Sequence, residues 1–285
     1  MTMFPRTTID SLSVSRLIIG SNWFLGFSHQ TTARDSFIKT HMSAERIAAV
    51  LEVFLAAGVD TLMGVRPGAP QLSGAIAQAQ ERTGRRCIMI GTPGFNLAGT
   101  PAADDENQRM LDEYAAIGTR ILMPHQSTTD ALVNRRTRTL ERIEPLLTMI
   151  RDRGMIPGLS THMNETPGYA DAAGLDVATY IQIYNAIGFL MQTEVEWVHH
   201  VIWRAAKPVM TIKPLAAGRL TPLVGLAFAW ATLRPIDMVT IGTFTPDEAR
   251  EVIETSLSLL ERRAPEVALQ TTRSKESLRA PGANV

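Results

Sequence analysis

Histidine and lysine side chains that could do acid–base or nucleophilic chemistry follow several short apolar runs in this sequence. His125 directly follows the run RILMP, His162 comes just after IPGLS, and Lys213 ends the run VMTIK. Imidazole exchanges protons near neutral pH, and a lysine amine becomes a nucleophile when burial lowers its pKa. If these runs end at one place, the three side chains could act together on a carbonyl or another polar group.

Eight such apolar runs alternate with helix-like sequence along the chain. They cover residues 16–20, 59–63, 87–91, 120–124, 156–160, 180–184, 209–213 and 238–242. Strict alternation of this kind indicates a parallel sheet with crossover helices. Eight units close most simply into an α/β (β/α)8 TIM barrel. The alternative, an open doubly wound sheet, lacks support because no Gly-x-Gly-x-x-Gly turn follows any of the strands.

The barrel prediction gives the polar residues near the strand ends a common location, because such barrels carry their active sites at the C-terminal ends of the strands. We therefore predict a catalytic set at this mouth. Its members are His29, Asp60, Arg66, His125, His162 and Lys213.

Three chemistries are compatible with this set. His125 could donate a hydrogen bond or proton to a carbonyl, with Asp60 or Lys213 tuning its pKa. His29, His125 and His162 could instead bind a divalent metal that polarises a carbonyl or activates water. Lys213 could form a Schiff base, or simply bind an anionic or carbonyl oxygen. The residues alone do not choose among these.

The sequence predicts one domain over residues 1–263 and a polar, mobile tail over 264–285. A small hairpin is expected at 7–14. The long connection 21–42 shows no clear helical period but holds several aromatic residues, and we expect a loop that acts as a lid. A long helix is predicted over about 137–153, and capping boxes are predicted at Thr193 with Glu196 and at Thr245 with Glu248.

Composition limits the classes of partner. The chain has 28 basic and 28 acidic residues among 285 and a formal net charge of +0, which argues against nucleic acid or an anionic membrane surface. Its single cysteine, Cys87, excludes an intrachain disulfide and fits a reducing compartment. We expect a cytoplasmic protein that acts on a small-molecule substrate, and a homo-oligomer remains open.

Several stretches resemble the aldo-keto reductases, and the likeness covers most of the predicted barrel. They are GVDTLMG with Asp60, ILMPHQSTTD with His125, IQIYNA with Tyr184 and Asn185, IKPLAAGRL with Lys213, and IGTFTPDEARE with Thr243 and Glu251. The resemblance implies that Asp60 and His125 match catalytic residues of that family. It also implies an NAD(P) site. Its predicted contacts are Asn22, Tyr184, Asn185, Gly242, Thr243 and Glu251.

The sequence departs from the family pattern at two catalytic positions. The family's tyrosine, its proton donor, has no counterpart in LMGVRPGAP, and Thr92 and Pro93 stand where the catalytic lysine should end the third strand. Glu248 stands where NADP-dependent members carry an arginine and would repel a 2′-phosphate. NAD(H) is therefore at least as compatible with the sequence as NADP(H).

The leading hypothesis is a divergent barrel enzyme of this kind that acts on a small polar carbonyl compound or sugar-like metabolite. It could be an NAD(P)-dependent oxidoreductase in which Lys213 or Arg66 substitutes for the missing pair. The first alternative is a metal- or lysine-assisted lyase, isomerase or hydrolase without nicotinamide. The second is a non-catalytic binding protein on the same barrel.

Overall fold

The computed structural model describes residues 3–268 and Lys275. Its strands are β1 (Arg6–Ile9), β2 (Leu12–Ser15), β3 (Leu17–Gly20), β4 (Thr61–Val65), β5 (Ile88–Gly91), β6 (Ile121–Leu122), β7 (Val133–Asn134), β8 (Thr139–Leu140), β9 (Ile156–Pro157), β10 (Leu159–Ser160), β11 (Tyr180–Ile183), β12 (Val209–Ile212) and β13 (Met238–Ile241). Its α-helices are α1 (Asn22–Leu25), α2 (Thr32–His41), α3 (Ala44–Ala56), α4 (Pro70–Thr83), α5 (Pro101–Ala116), α6 (Gln126–Thr129), α7 (Glu144–Arg151), α8 (Thr166–Ala173), α9 (Val195–Arg204), α10 (Pro222–Thr232) and α11 (Pro246–Glu261). Single 3₁₀ turns cover Asp130–Leu132 and Ala216–Gly218.

The parallel strands form a closed ring, which confirms the predicted (β/α)8 barrel. Neighbours run in the order β10, β11, β12, β13, β3, β4, β5, β6, β9. Because β9 and β10 are separated by Gly158 alone, they form one interrupted strand that pairs with β6 on one side and β11 on the other. The eight predicted strands are therefore all present.

Gly158 allows this closure. A Cβ there would lie 2.7 Å from the backbone oxygen of Thr179 and 2.9 Å from its Cγ2. The fifth and sixth barrel strands therefore approach more closely at this point than any side chain would permit.

Two apolar cores hold the barrel. The inner one fills the ring with buried side chains from successive strands, such as Ile18, Ile90 and Met210, and the predicted hairpin β1–β2 closes its lower end with Ile9 and Val14. The outer core packs helices against strands and is larger. Such a filled interior leaves the strand ends as the place for a site.

The segment 21–42 is not the predicted structureless loop, because it contains α1 and the ten-residue helix α2. The hydroxyl of Thr31 caps α2 by accepting from the backbone N–H of Arg34, and Lys39 and His41 lie in its last turn. Ile38 is the helix's buried residue. Such a narrow apolar face leaves no strong period in the sequence, which explains the missed helix.

Two further local predictions were wrong. The helix expected over 137–153 begins only at Glu144, with Pro145 in its first turn, and Asn134 turns the chain before it by accepting from the N–H groups of Arg136 and Thr137. The capping box at Thr193 is absent, because that hydroxyl binds the Asn164 amide instead. The box of Thr245 and Glu248 is confirmed.

The predicted tail 264–285 lies for the most part outside the described residues. Of the helices in the described part of the chain, none combines the length and apolar character that crossing a bilayer demands.

Replacing Gly158 with alanine should lower the free energy of unfolding by about 1–3 kcal/mol, because the new methyl group overpacks the junction of the fifth and sixth strands. Urea denaturation followed by circular dichroism measures this. Gly168→Ala is the matched control, since a Cβ there meets nothing within 4 Å, and it should be neutral or slightly stabilising. Equal stability of the two variants would contradict the close approach of the fifth and sixth barrel strands at Gly158.

Candidate functional site at the barrel mouth

A cavity of about 820 Å³ opens at the C-terminal ends of the strands. Three predicted histidines, His29, His125 and His162, line it together with Lys213. They reach it from four different connections, those after β3, β6, β10 and β12. Four of the six predicted catalytic residues therefore lie together at the C-terminal ends of the strands.

Lys213 is the most unusual group in this cavity. It follows β12 directly, and its backbone has φ +62°, a left-handed conformation that is strained for a residue with a side chain. Burial lowers the pKa of its amine to about 8. Within the described part of the chain no carboxylate makes an ion pair with it.

The histidines around Lys213 are held uncharged at neutral pH. Burial lowers the pKa of His162 to about 4, and the nearby charge of Lys213 lowers it further, as a proton on His125 or His29 would also do. Burial also lowers the pKa of His125 and of His29, with Lys213 adding to both effects. The mouth therefore combines neutral imidazoles with one amine that loses its proton only slightly above neutral pH.

His125 has a defined hydrogen-bonding state. It caps the short helix α6, where its Nδ1 accepts from the backbone N–H of Ser127 at 3.3 Å and lies 2.8 Å from the Ser127 hydroxyl. A neutral ring that accepts at Nδ1 carries its proton on Nε2. His125 can thus donate a hydrogen bond or proton from Nε2.

Asp130 does not line the cavity but holds the segment that carries His162. Its carboxylate accepts from the Thr161 hydroxyl and from the backbone N–H of His162. Burial raises the pKa of Asp130, while these hydrogen bonds oppose the rise. Its contacts fix the chain where His162 enters the cavity.

Asp60 does not belong to the site, which corrects the sequence prediction. It precedes β4, at the N-terminal end of the barrel, where its carboxylate forms an ion pair of 2.9 Å with Arg6 of the lower hairpin. The strand begins two residues later than predicted, so Met63 and Gly64 reach the cavity instead. Three residues of strand span about 10 Å, enough to move a side chain from one end of the barrel to the other.

Arg66 lies beside the mouth but does not line the cavity. It is exposed, and its guanidinium lies 5.7 Å from the Phe27 ring, whose own side chain lines the wall. The prediction that Arg66 faces the reacting atoms is therefore wrong, because the bend after β4 carries it past the rim.

The three histidines are not brought together as a metal site. Within residues 3–268 and Lys275, no group of three His, Cys, Asp or Glu side chains is placed to hold a metal ion. The adjacent ammonium of Lys213, which depresses the pKa of all three rings, would also repel a cation. The described residues therefore give no support to His29, His125 and His162 as metal ligands.

The residues predicted to hold a nicotinamide cofactor separate into two groups. Asn22, Gly242, Thr243 and Glu251 line the cavity. Tyr184 and Asn185 do not.

Both residues of the second group serve the scaffold. The Tyr184 hydroxyl donates to Thr232 and its ring packs on Phe228, and the Asn185 amide binds the backbone around Phe189. Both residues follow the end of β11, and these contacts hold their side chains in the scaffold and away from the cavity.

The wall along β13 is filled by aromatic side chains. A Cβ at Gly242 would lie 2.6 Å from Cδ1 of Trp23, so the indole packs directly on this glycine. Phe244 packs between Trp23 and the α2 residues Phe37 and His41. The Glu248 carboxylate closes the N-terminus of α11 by accepting from the N–H groups of Phe244 and Thr245. Trp23 therefore covers Gly242, one of the residues to which the resemblance assigns a cofactor contact.

Several lining residues were missed by the sequence reasoning. They are Trp23, Arg34, Thr92, Ser160 and Arg219. Ser160 ends a predicted strand and could have been included by the same rule. Arg34 lies on the unpredicted helix α2, and nothing in its sequence neighbourhood indicated that it would reach the barrel mouth.

Comparison with solved structures shows the same architecture. A candidate aldo-keto reductase from Pseudomonas aeruginosa superposes with a TM-score of 0.65 at 14% identity, covering 91% of this chain and 98% of that one. An aldo/keto reductase from Klebsiella pneumoniae, solved with NADP and acetate, gives 0.52 at 17% identity over 96% and 99% of the two chains. The chain has the fold of the aldo-keto reductase barrels.

Other barrels are also similar. Thiamine phosphate pyrophosphorylase from Pyrococcus furiosus gives a TM-score of 0.51 at 10% identity, covering 86% of this chain and 95% of that one. No family model matches the sequence, and no curated protein matches it either. At such low identities the likeness defines the fold, and the reaction has to be argued from the site.

Replacing Lys213 with methionine should stabilise the protein by about 1–3 kcal/mol at pH 7, because it removes a desolvated ammonium while keeping the volume. The amine has a pKa of about 8 when folded and its model value of 10.5 when unfolded. The unfolded chain therefore binds more protons between these values, and wild-type stability rises with pH through that window.

The advantage of the Lys213→Met variant should accordingly shrink between pH 8 and 10.5. Urea unfolding of both proteins at pH 7, 9 and 10.5 measures this change. Lys39→Met, on the exposed face of α2, is the control and should show no such trend. A Lys213→Met protein that is less stable than wild type at pH 7 would contradict the claim that the Lys213 amine is desolvated and lacks a carboxylate partner.

Proposed function

We propose that this protein is an enzyme that acts on a small carbonyl compound through an iminium formed at Lys213. The observation that carries the proposal is the buried amine with a pKa of about 8, held in a cavity among three uncharged histidines. An amine with this pKa is about one-tenth neutral at pH 7, a far larger fraction than for an ordinary lysine, so it can act as a nucleophile. The reaction class is that of a lysine-dependent lyase or isomerase.

The proposed steps use groups that line the cavity. The neutral amine of Lys213 attacks the carbonyl carbon, and the C=O electron pair moves to the oxygen. The Nε2–H of His125 donates a hydrogen bond to that oxygen while one amine proton moves to it, and a proton from solvent then lets the hydroxyl leave as water as the nitrogen lone pair forms the C=N bond of the iminium. His162, whose lowered pKa keeps it unprotonated, then takes a proton from the adjacent carbon, and the C–H electron pair forms an enamine.

The fold likeness supports an enzyme of the barrel type but leaves the reaction to the site. The leading hypothesis from the sequence, an NAD(P)-dependent oxidoreductase, draws support from Asn22, Gly242, Thr243 and Glu251, which line one cavity. Against it stand the outward Tyr184 and the packing of Trp23 on Gly242. Fluorescence titration with NADH and NADPH tests it, and saturable binding of either would favour the redox hypothesis.

Incubation with glyceraldehyde and sodium borohydride should attach the reduced sugar covalently to Lys213, because borohydride reduces an iminium to a stable secondary amine. Intact-mass analysis and peptide mapping locate the adduct among the four lysines, Lys39, Lys207, Lys213 and Lys275. The yield should rise with pH through about 8 and level off above it, following the fraction of neutral amine.

Lys213→Arg keeps the charge but removes the nucleophile, and it should abolish the adduct. His162→Gln should form the adduct but lose proton exchange at the adjacent carbon, which is read by deuterium incorporation from D2O. Labelling spread equally over all four lysines, or undiminished in Lys213→Arg, would exclude the iminium proposal.

A further inference from the structure

Arg34 is a cation of the cavity wall that the proposed chemistry does not use. It projects from the first turn of α2 and lies among three aromatic rings, with its guanidinium carbon 5.3 Å from Trp23, 5.3 Å from Phe37 and 5.5 Å from Phe244. These contacts restrict the orientation of the side chain without neutralising its charge. Arg34 is therefore a positioned cation, unlike a mobile surface arginine.

No protein anion neutralises this charge in the described part of the chain. None of the ion pairs there includes Arg34, and its Nε is buried without a hydrogen-bond partner. Arg82, Arg151 and Arg234, by contrast, each pair with at least one carboxylate. A buried donor without a partner costs free energy that a bound acceptor would restore.

A second polar group of the same wall is also unsatisfied. Thr243 is 3% exposed, and its hydroxyl has no hydrogen-bond partner. It lines the same cavity, next to Gly242, on which Trp23 packs. Trp23 therefore packs on the neighbour of Thr243 and lies 5.3 Å from the guanidinium carbon of Arg34, and buried polar atoms of folded proteins are rarely left without a partner.

Two carboxylates near this wall bear on the charge of a ligand. Glu248 is engaged with the N–H groups of Phe244 and Thr245 and serves the helix terminus. Glu251 lines the cavity and would oppose an anion. Glu248 lines the cavity too, so three cations, Arg34, Lys213 and Arg219, face two carboxylates, and a small positive formal charge remains while Lys213 is protonated and the histidines are neutral.

We propose that Arg34 and Thr243 bind an oxyanion, a carboxylate or a phosphate, that is part of the substrate. A guanidinium presents two parallel N–H donors that match either group, and a hydroxyl adds a third. This inference rests on the proposed function: the carbonyl of the same molecule reaches Lys213 while its anionic end lies against α2 and the start of α11. The substrate class is then an anionic carbonyl compound, such as an oxo acid or a sugar phosphate.

Binding of simple anions tests the subsite without any catalytic step. Isothermal titration calorimetry with inorganic phosphate and with acetate should show saturable binding of at least one of them to wild-type protein. Arg34→Gln should weaken that binding about tenfold or more, the loss expected for a charged hydrogen bond. Glu251→Gln should strengthen it, because it removes an opposing charge.

The variants distinguish the subsite from other cations. Lys213→Met should still bind the anion measurably, and Arg34→Lys should recover part of the lost affinity. Thermal melting of each variant establishes that it is folded. Absence of binding of both anions, or affinity unchanged in Arg34→Gln, would overturn the proposal. Preference for phosphate over acetate would indicate a phosphorylated substrate, and the reverse a carboxylate.

A second experiment links the subsite to the proposed chemistry. Borohydride trapping is compared for glyceraldehyde and glyceraldehyde 3-phosphate, and for pyruvate against hydroxyacetone. At least one anionic compound should be trapped faster than its neutral partner, and Arg34→Gln should lower that ratio about tenfold.

The two proposals fail in different ways. Anion binding that depends on Arg34 with no adduct from any probe overturns the iminium chemistry but leaves the subsite. Adducts with a ratio unaffected by Arg34→Gln overturn the subsite but leave the iminium. Binding of NADPH that competes with phosphate and depends on Arg34 would reassign the subsite to a nucleotide and overturn the assignment to the substrate.

Discussion

The desolvated amine of Lys213 is the constraint from which the account of this site follows. The barrel places it half-buried in a concave mouth, with no carboxylate in the described residues paired to its positive charge. A desolvated ammonium lowers the free energy of unfolding, because the ammonium is better solvated in the unfolded chain. Its left-handed backbone adds a further local cost. Such costs are characteristic of functional positions.

The positive charge of Lys213 also affects the pKa of the three histidines around it. Because its charge and their own burial lower the pKa of His29, His125 and His162, the imidazoles stay neutral where an isolated histidine would be partly charged. This electrostatic pattern opposes a metal ion and suits an anionic ligand. An anion bound in the mouth would reverse the trend and raise the pKa of the lysine and of the histidines together. Substrate charge and proton transfer would thus be coupled.

The sequence predicts the scaffold well because eight apolar runs and their helices are repeated signals that support one another. It also places His125, His162 and Lys213 correctly, since each follows the end of a strand. Asp60 fails because it lies at the start of its strand and therefore at the N-terminal end of the barrel, where the rule for strand ends does not apply. Arg34 was missed because α2 buries only Ile38 and shows no clear period. Packing between distant segments, as of Trp23 on Gly242, leaves no local sequence signal at all.

The most direct test of the central claim is the pKa of Lys213 itself. The chain has four lysines, so NMR of protein labelled with 13C at the lysine Cε carbons can resolve and titrate them individually, with Lys213→Met providing the assignment. One resonance, absent from that variant, should titrate near pH 8, well below the ordinary lysine value of about 10.4. Titration of the Lys213 resonance at or above that ordinary value would contradict the account.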